Sequence, residues 1–194
     1  MSSTSTTAGL VLAAGASSRM GYPKALLPTP ANVPLAVHQM RLLRAAGCPR
    51  VAVVLGAHAE SIAKKITDGE VIQHAGWAAG RLTSLQAGLR ALPGYDGYLI
   101  LPVDTVGLQV ETLARLLTAA THDTFALRPH VQGKPGRVLW ISARVAHEIL
   151  SLPASDTRLD EWLAPRITAL ECDDPAILNN VNTPDEWAGI RGQL

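Results

Sequence analysis

Short, uninterrupted aliphatic runs alternate along this chain with longer stretches whose apolar positions recur every three or four residues. Gly9-Leu-Val-Leu-Ala-Ala14 and Arg50-Val-Ala-Val-Val-Leu55 are nearly continuous apolar runs with turn signals after them. A strand with one wet face alternates polar and apolar residues, so runs of this kind suit strands covered on both faces. Residues 70–73 and 98–103 read as two more. Between them the spacing predicts helices over 35–46, 59–67, 82–92 and 110–120. In the first, Ala36, Met40 and Leu43 share a face and Gly47 is the stop; in the last, Leu113, Leu116, Leu117 and Ala120 recur at helical spacing.

The second half is less regular. Residues 125–132 and 137–141 read as strands around a Gly133-Lys-Pro-Gly136 turn, 142–150 and 159–163 as helices, and 177–181 as a late strand. Thr183-Pro-Asp-Glu186 has the signature of a helix start, with Thr183 as N-cap, Pro184 at the first helical position and acidic residues in the first turn. Strand alternating with helix implies βαβ units with right-handed crossovers. The expected fold is therefore α/β: a three-layer α/β/α sandwich around a mainly parallel, Rossmann-like sheet, with ligands at the C-terminal ends of the strands. It should form a single domain over 9–194, after a Ser/Thr-rich N-terminal tail over 1–8 that reads as disordered.

Composition narrows the function classes. Hydrophobic residues make up 47% of 194 and charged residues 17%, enough to bury a sizeable core. Seventeen Lys and Arg against sixteen Asp and Glu leave a formal charge of +1, so no general affinity for nucleic acid or an anionic membrane is expected. An anionic ligand must be held by a local site. Cys48 and Cys172 form no CxxC pair, and no apolar run is long enough to span a bilayer. The start has neither a basic flank nor an apolar stretch of the signal-peptide kind, and a cytoplasmic protein is expected.

The most informative stretch is Leu12-Ala-Ala-Gly-Ala-Ser-Ser-Arg-Met-Gly-Tyr-Pro-Lys24, directly after the first strand. Small residues from Ala13 to Ser18 let the backbone approach a ligand, and successive amides can form an anion-binding concavity. Arg19 supplies a forked, permanent charge and Lys24 a movable one. A Walker A loop needs GxxxxGKS/T and a dinucleotide loop GxGxxG; neither is present. On residue types alone the stretch also fits a flexible turn with solvated bases. Asp104, after the apolar run 98–103, likewise fits either a metal-binding carboxylate at the sheet's rim or a turn aspartate. Asn180 and Asn182 fit either a ligand pair or Asx turns, and Ser84 either a nucleotide contact or a helix-surface hydroxyl.

Leu12 to Lys24 resembles the LAAGxSxRMGxxK signature of the molybdenum-cofactor nucleotidyltransferases, the MobA-like NTP transferase family, and Leu26-Leu27-Pro28 continues it. Gly80-Arg-Leu-Thr-Ser84-Leu-Gln-Ala-Gly88-Leu resembles that family's GxxxSLxxGL segment on the base and ribose side. Leu101-Pro-Val-Asp104 falls where the family has its metal-binding aspartate, and Asn180-Val-Asn182-Thr-Pro184 resembles the NxNTP ending of its guanylyl branch. The resemblance spans about residues 10 to 187. It implies a nucleotide-diphospho-sugar transferase-like fold and an Mg²⁺-dependent enzyme that transfers a nucleotide to a phosphorylated acceptor and releases pyrophosphate.

Carried over residue by residue, the resemblance places Leu12, Ala13, Ala14, Gly15, Ser17, Ser18, Arg19, Lys24, Gly80 and Ser84 against the nucleotide. Arg19, Lys24 and Asp104 become catalytic, and Asp104 with Asn182 would hold Mg²⁺. The LAAG sequence is that of the cytidylyl branch, which favours CTP over GTP; the guanylyl branch has LAGG. Molybdopterin is the acceptor implied, with a client molybdoenzyme as destination; a sugar or alditol phosphate is the alternative, or a non-catalytic chaperone for nucleotide or cofactor. The chain departs from the cytidylyl pattern at Val106, where that branch has DxP, at Arg137, where it has GHP, and at Asn182.

Overall fold

The computed structural model describes residues 6–154 and 157–194. The first half runs β1 (Thr7–Ala13), α1 (Leu35–Ala45), β2 (Val51–Leu55), α2 (Ala59–Ala63), β3 (Glu70–Gln73), α3 (Arg81–Ala91), β4 (Gly97–Pro102) and α4 (Val110–Ala119). The second runs β5 (Ala126–Val131), β6 (Lys134–Pro135), β7 (Leu139–Ser142), α5 (Ala143–Ser151), α6 (Leu159–Leu163), β8 (Ile167–Glu171) and α7 (Pro184–Ile190).

Successive side chains of a strand face opposite ways, and the central strands use this to feed two separate cores. Val11 and Ala13 of β1, Val53 and Leu55 of β2, and Leu99 and Leu101 of β4 pack with α1, α4 and Trp187 of α7. Ala8 and Leu10, Ala52 and Val54, and Tyr98 and Ile100 pack with α3, α5 and α6 on the other side. A sheet covered on both faces has no wet positions, hence the unbroken apolar runs. Gly9 and Gly88 let the two layers close: a Cβ at Gly9 would stand 3.0 Å from Val51 and 3.1 Å from Leu43 of α1. One at Gly88 would stand 3.0 Å from Leu10.

The strand order is β3-β2-β1-β4-β7-β5-β6, with β8 beside β5. β1 to β4 run parallel, β7 is antiparallel to β4 and β5, and β8 is parallel to β5. Because β1 pairs with β2 on one side and β4 on the other, the direction of winding reverses between β1 and β4. The loops leaving their C-terminal ends diverge there and open a crevice. The three-layer α/β/α reading holds.

Three details correct the sequence reading. β1 begins at Thr7 rather than Gly9, so Thr7 and Ala8 belong to the sheet and not to a tail; residues 1–5 lie outside the described residues. Thr7 pairs with Gly97, and its hydroxyl accepts a hydrogen bond from the buried Trp140 indole at 3.1 Å. α2 ends at Ala63, four residues before the expected end. The late strand over 177–181 does not form: Pro175–Leu178 is a 3-10 turn, capped by the buried Asp174, whose carboxylate accepts from the Ala176 amide at 3.1 Å. Ile177 is apolar because that turn buries it completely, not because it lies in a sheet. The eighth strand is β8, whose half-exposed residues at the sheet's margin carry little periodicity.

α7 starts as the sequence predicts. Thr183 accepts from the Glu186 amide at 3.3 Å, and the Glu186 carboxylate accepts from the Asn182 and Thr183 amides at 2.6 and 3.2 Å, completing a capping box. The Asn182 amide, then that of Thr183 with Arg19 and Lys24 nearby, hold the Glu186 carboxyl below its ordinary value. A depressed carboxylate value means this contribution is complete above the ordinary Glu range and is lost as pH falls through the depressed value. Thr183→Ala is expected to cost about 1 kcal/mol, or about 2–4 °C in Tm for a chain of this size, measured by thermal denaturation.

Candidate active site

The loop after β1 is organised by Ser17. This residue adopts a left-handed conformation (φ 56°), unusual for a non-glycine side chain. Its carbonyl accepts from the amides of Met20 and Gly21 at 3.0 and 3.2 Å, and its hydroxyl accepts from the Lys24 amide at 3.1 Å. Met20, buried to 5% exposure, pins the outer end to the core. Lys24 opens a short 3-10 turn over Lys24–Leu26, whose Ala25 and Leu26 are buried and aim the lysine back across the crevice. Among the described residues, the amides of Gly15, Ala16, Ser17 and Ser18 donate to no protein acceptor. An unpaired run of amides in a loop of small residues is what an anion-binding concavity requires.

Asp104 follows β4 on a short turn braced from two directions. Gln39 of α1, 1% exposed, donates to the Val103 and Thr105 carbonyls at 3.3 and 2.7 Å. The Val181 amide donates to the Asp104 carbonyl at 2.9 Å, which carries the 180–182 segment alongside. The Lys24 ammonium then meets Asp104 Oδ2 at 3.0 Å and Asn182 Oδ1 at 2.9 Å, and Arg19 donates to the same Asn182 oxygen at 2.9 Å. The partners of Asn180 orient its amide. Its NH₂ faces Asp104 Oδ2 at 3.0 Å, and its oxygen accepts from Arg137 at 3.2 Å and from Asn182 Nδ2 at 2.9 Å.

These groups border a cleft of about 440 Å³ at the β1/β4 switch point. Leu12, Ala13, Ala14, Gly15, Ser17, Lys24, Gly80 and Asp104 line it, so most of the residues singled out from sequence meet in one place. Asn182 joins through Lys24, and Arg19 through Asn182. Ser18 and Ser84 are not in the lining: Ser18 is exposed, and Ser84 is 4% exposed with its hydroxyl 3.5 Å from the Gly80 carbonyl, inside the first turn of α3.

A MobA-like NTP transferase domain matches residues 9–172. The chain belongs to the MobA-like NTP transferase family. Nucleotidyl transfer is the activity class of that domain. A molybdenum cofactor guanylyltransferase from Xanthomonas euvesicatoria is 30% identical over 191 residues, covering 94% of this chain and 93% of that protein. A nicotine blue oxidoreductase from Paenarthrobacter nicotinovorans is 28% identical over 193 residues, covering 92% and 93%. Among solved structures, a nucleotidyl transferase from Methanothermobacter thermautotroptrophicus superposes with a TM-score of 0.80 at 23% identity, covering 96% of each chain. The fold is that of the nucleotide-diphospho-sugar transferases.

Within this MobA-like domain the structure adds residues that motif reading passed over. Trp77 lines the cleft while its Cβ abuts Gly56, where an added Cβ would stand only 2.4 Å away. Arg81 lines it too, paired with Asp160. Gln39 has no ligand to meet; it sets the height of Asp104. The signal for it was a glutamine on the face of α1 that also carries Ala36, Met40 and Leu43, all buried. No helix among the described residues is long and apolar enough to cross a membrane.

Asp104 and Asn182 pass a simple test as metal ligands: their oxygens converge on one cation, at present the Lys24 ammonium. A carboxylate and a neutral amide oxygen suit Mg²⁺, which takes few protein ligands and fills its shell with phosphate oxygens and water. No cluster of three or more His, Cys, Asp or Glu able to hold a metal occurs among the described residues. Protein donors alone would bind the ion weakly.

Proposed function

We propose that this protein transfers the nucleoside monophosphate of an NTP, preferentially CTP, to a phosphorylated small-molecule acceptor of the molybdopterin type. The observation that carries this reading is the junction of Lys24, Asp104 and Asn182 beside a cleft that Gly15 and Ser17 of the loop also line. Fold alone does not decide the reaction, since one relative of similar length bears an oxidoreductase name. The junction favours transfer because a triphosphate needs cations on one side and a metal-binding carboxylate on the other.

In this reading the amides of 15–18 and the side chains of Arg19 and Lys24 bind the β- and γ-phosphates. Trp77 and Gly80 belong to the nucleoside side; Ser84, buried in the first turn of α3, does not face the cleft. Lys24 leaves Asp104 as it takes up phosphate oxygens, which frees the Asp104 and Asn182 oxygens for Mg²⁺. Bound there, the ion would supply charge neutralisation at the α-phosphate. An acceptor phosphate oxygen attacks the α-phosphorus; that P–O bond forms as the bond to the bridging oxygen breaks, and pyrophosphate leaves. The protein's part is positioning and fixed charge.

The preference for CTP rests on Ala14, which is 7% exposed and fixed by the Ala57 amide on its carbonyl at 3.0 Å. Its methyl group occupies space that a glycine would leave to a larger purine. CTP with Mg²⁺ at 100-fold its Kd should stabilise the protein by about 2.7 kcal/mol, with a smaller shift for GTP at the same concentration. Pyrophosphate release on adding phosphorylated acceptors tests transfer itself. Tighter binding of GTP than of CTP in calorimetry would overturn the base preference. Nucleotide binding without pyrophosphate release from any phosphorylated acceptor would replace transfer with a carrier role.

A further inference from the structure

Three basic side chains among the described residues line the cleft: Lys24, Arg81 and Arg137. Two of them are neutralised by the protein itself, Lys24 by Asp104 and Arg81 by Asp160. Arg137 has no carboxylate within salt-bridge distance among the described residues; its one side-chain partner is the Asn180 oxygen at 3.2 Å. It is also exposed.

The side chain is free, but its backbone is clamped. The Arg137 amide donates to the Ile177 carbonyl at 3.1 Å, and the Gly136 amide before it donates to the Pro129 carbonyl at 2.7 Å. Gly136 is buried against the Pro175–Leu178 turn, where a Cβ would stand 2.8 Å from Ile177 and 3.0 Å from the Pro129 oxygen. Val138 on the other side is fully buried. A surface arginine beside a loose turn has no such foundation. Here a guanidinium is raised from a fixed point into the cleft, held at one nitrogen by Asn180, with its remaining N–H groups open.

From this we infer that Arg137 is the specificity residue for the acceptor, binding its phosphomonoester end. The inference rests on the nucleotidyl-transfer reading and extends it to the second substrate. Hydrogen bonds link Arg137, Asn180, Asp104 and Lys24 in series. Cations therefore stand at both ends of the series, with the Asp104 carboxylate between them. One end faces the triphosphate loop; the other offers a planar fork to a second, separate anion. An acceptor phosphate on Arg137 would be held by a cation separate from those proposed for the leaving pyrophosphate. An uncharged acceptor would leave the guanidinium without a counterion.

The test uses methyl phosphate, the simplest phosphomonoester, titrated by ³¹P NMR with and without a non-hydrolysable CTP analogue. Wild type, Arg137→Gln and Arg137→Lys are compared. Arg137→Gln is expected to weaken methyl phosphate binding by about tenfold or more, the loss of one charge-assisted contact, while analogue affinity stays within about twofold of wild type. Arg137→Lys should retain part of the binding, because it keeps charge and loses the fork. Equal methyl phosphate affinity in wild type and Arg137→Gln would overturn the inference, as would a wild type that binds none. A parallel loss of analogue affinity would overturn it too, by giving Arg137 to the triphosphate. Arg137-dependent methyl phosphate binding by a protein that ignores the analogue would uphold the anion site and sink the transfer reading instead.

Discussion

Lys24→Met is expected to bind Mn²⁺ in the absence of nucleotide about tenfold more tightly than wild type, while losing about 10²-fold in transfer rate. The two effects have opposite signs because, in the proposed reaction, Lys24 holds two positions in turn. Without a triphosphate its ammonium sits on Asp104 Oδ2 and Asn182 Oδ1, the two oxygens proposed for the metal, with only 12% of the lysine side chain and 19% of the aspartate exposed. A divalent ion must displace it and break both contacts. Charge-assisted bonds of this kind contribute about 1.5–3 kcal/mol, and about 1.4 kcal/mol is a factor of ten in affinity. Methionine preserves the length of the chain without the charge, so the ion enters unopposed. During transfer the same substitution removes a cation from the triphosphate. Mn²⁺ binding can be followed by electron paramagnetic resonance and transfer by pyrophosphate release. An Mn²⁺ affinity equal to or weaker than wild type would refute the displacement; an unchanged rate would remove Lys24 from catalysis.

Asp104→Asn should nearly abolish transfer, by about 10³-fold, on the scale of losing a preorganised charge in a catalytic site. Nucleotide binding without metal should persist, because Arg19, Lys24 and the amides of 15–18 remain. It should even strengthen, since Lys24 loses its carboxylate partner. The isosteric change keeps the turn that Gln39 and Val181 support, both of which bond to the backbone and not to the Asp104 carboxylate. Asn182→Asp should be tolerated better than Asn182→Ala, because it keeps an oxygen for Lys24, Arg19 and the ion. Calorimetry with CTP, with and without Mg²⁺, separates binding from turnover in each variant. Near-wild-type turnover in Asp104→Asn would exclude the carboxylate from the chemistry.

How much of this was legible in the sequence can be traced residue by residue. The two-faced sheet was, because covering a strand on both sides removes every polar position, and the apolar runs at 9–14 and 50–55 record it. The start of α7 was, because capping is chemistry between neighbours three residues apart, Thr183 and Glu186. The late strand was misread for the complementary reason. Ile177 is apolar on account of a tertiary contact, and no local pattern tells a buried 3-10 turn from a short strand. β8 escaped because its stability comes from pairing with β5, not from its own residues.

The site divides the same way. The order of Gly15, Ser17, Arg19 and Lys24 in one loop is a local fact, and sequence alone determined that these residues stand together in the loop after the first strand. That Lys24 lies on Asp104, 80 positions away, and on Asn182, 158 positions away, was decided by the tertiary structure alone. So was the distinction between Arg81, neutralised by Asp160, and Arg137, which meets no carboxylate among the described residues. Charge pairing acts over about 3 Å of space at any separation along the chain. A sequence shows which groups carry charge, and only the folded chain shows which of them are already spent on one another.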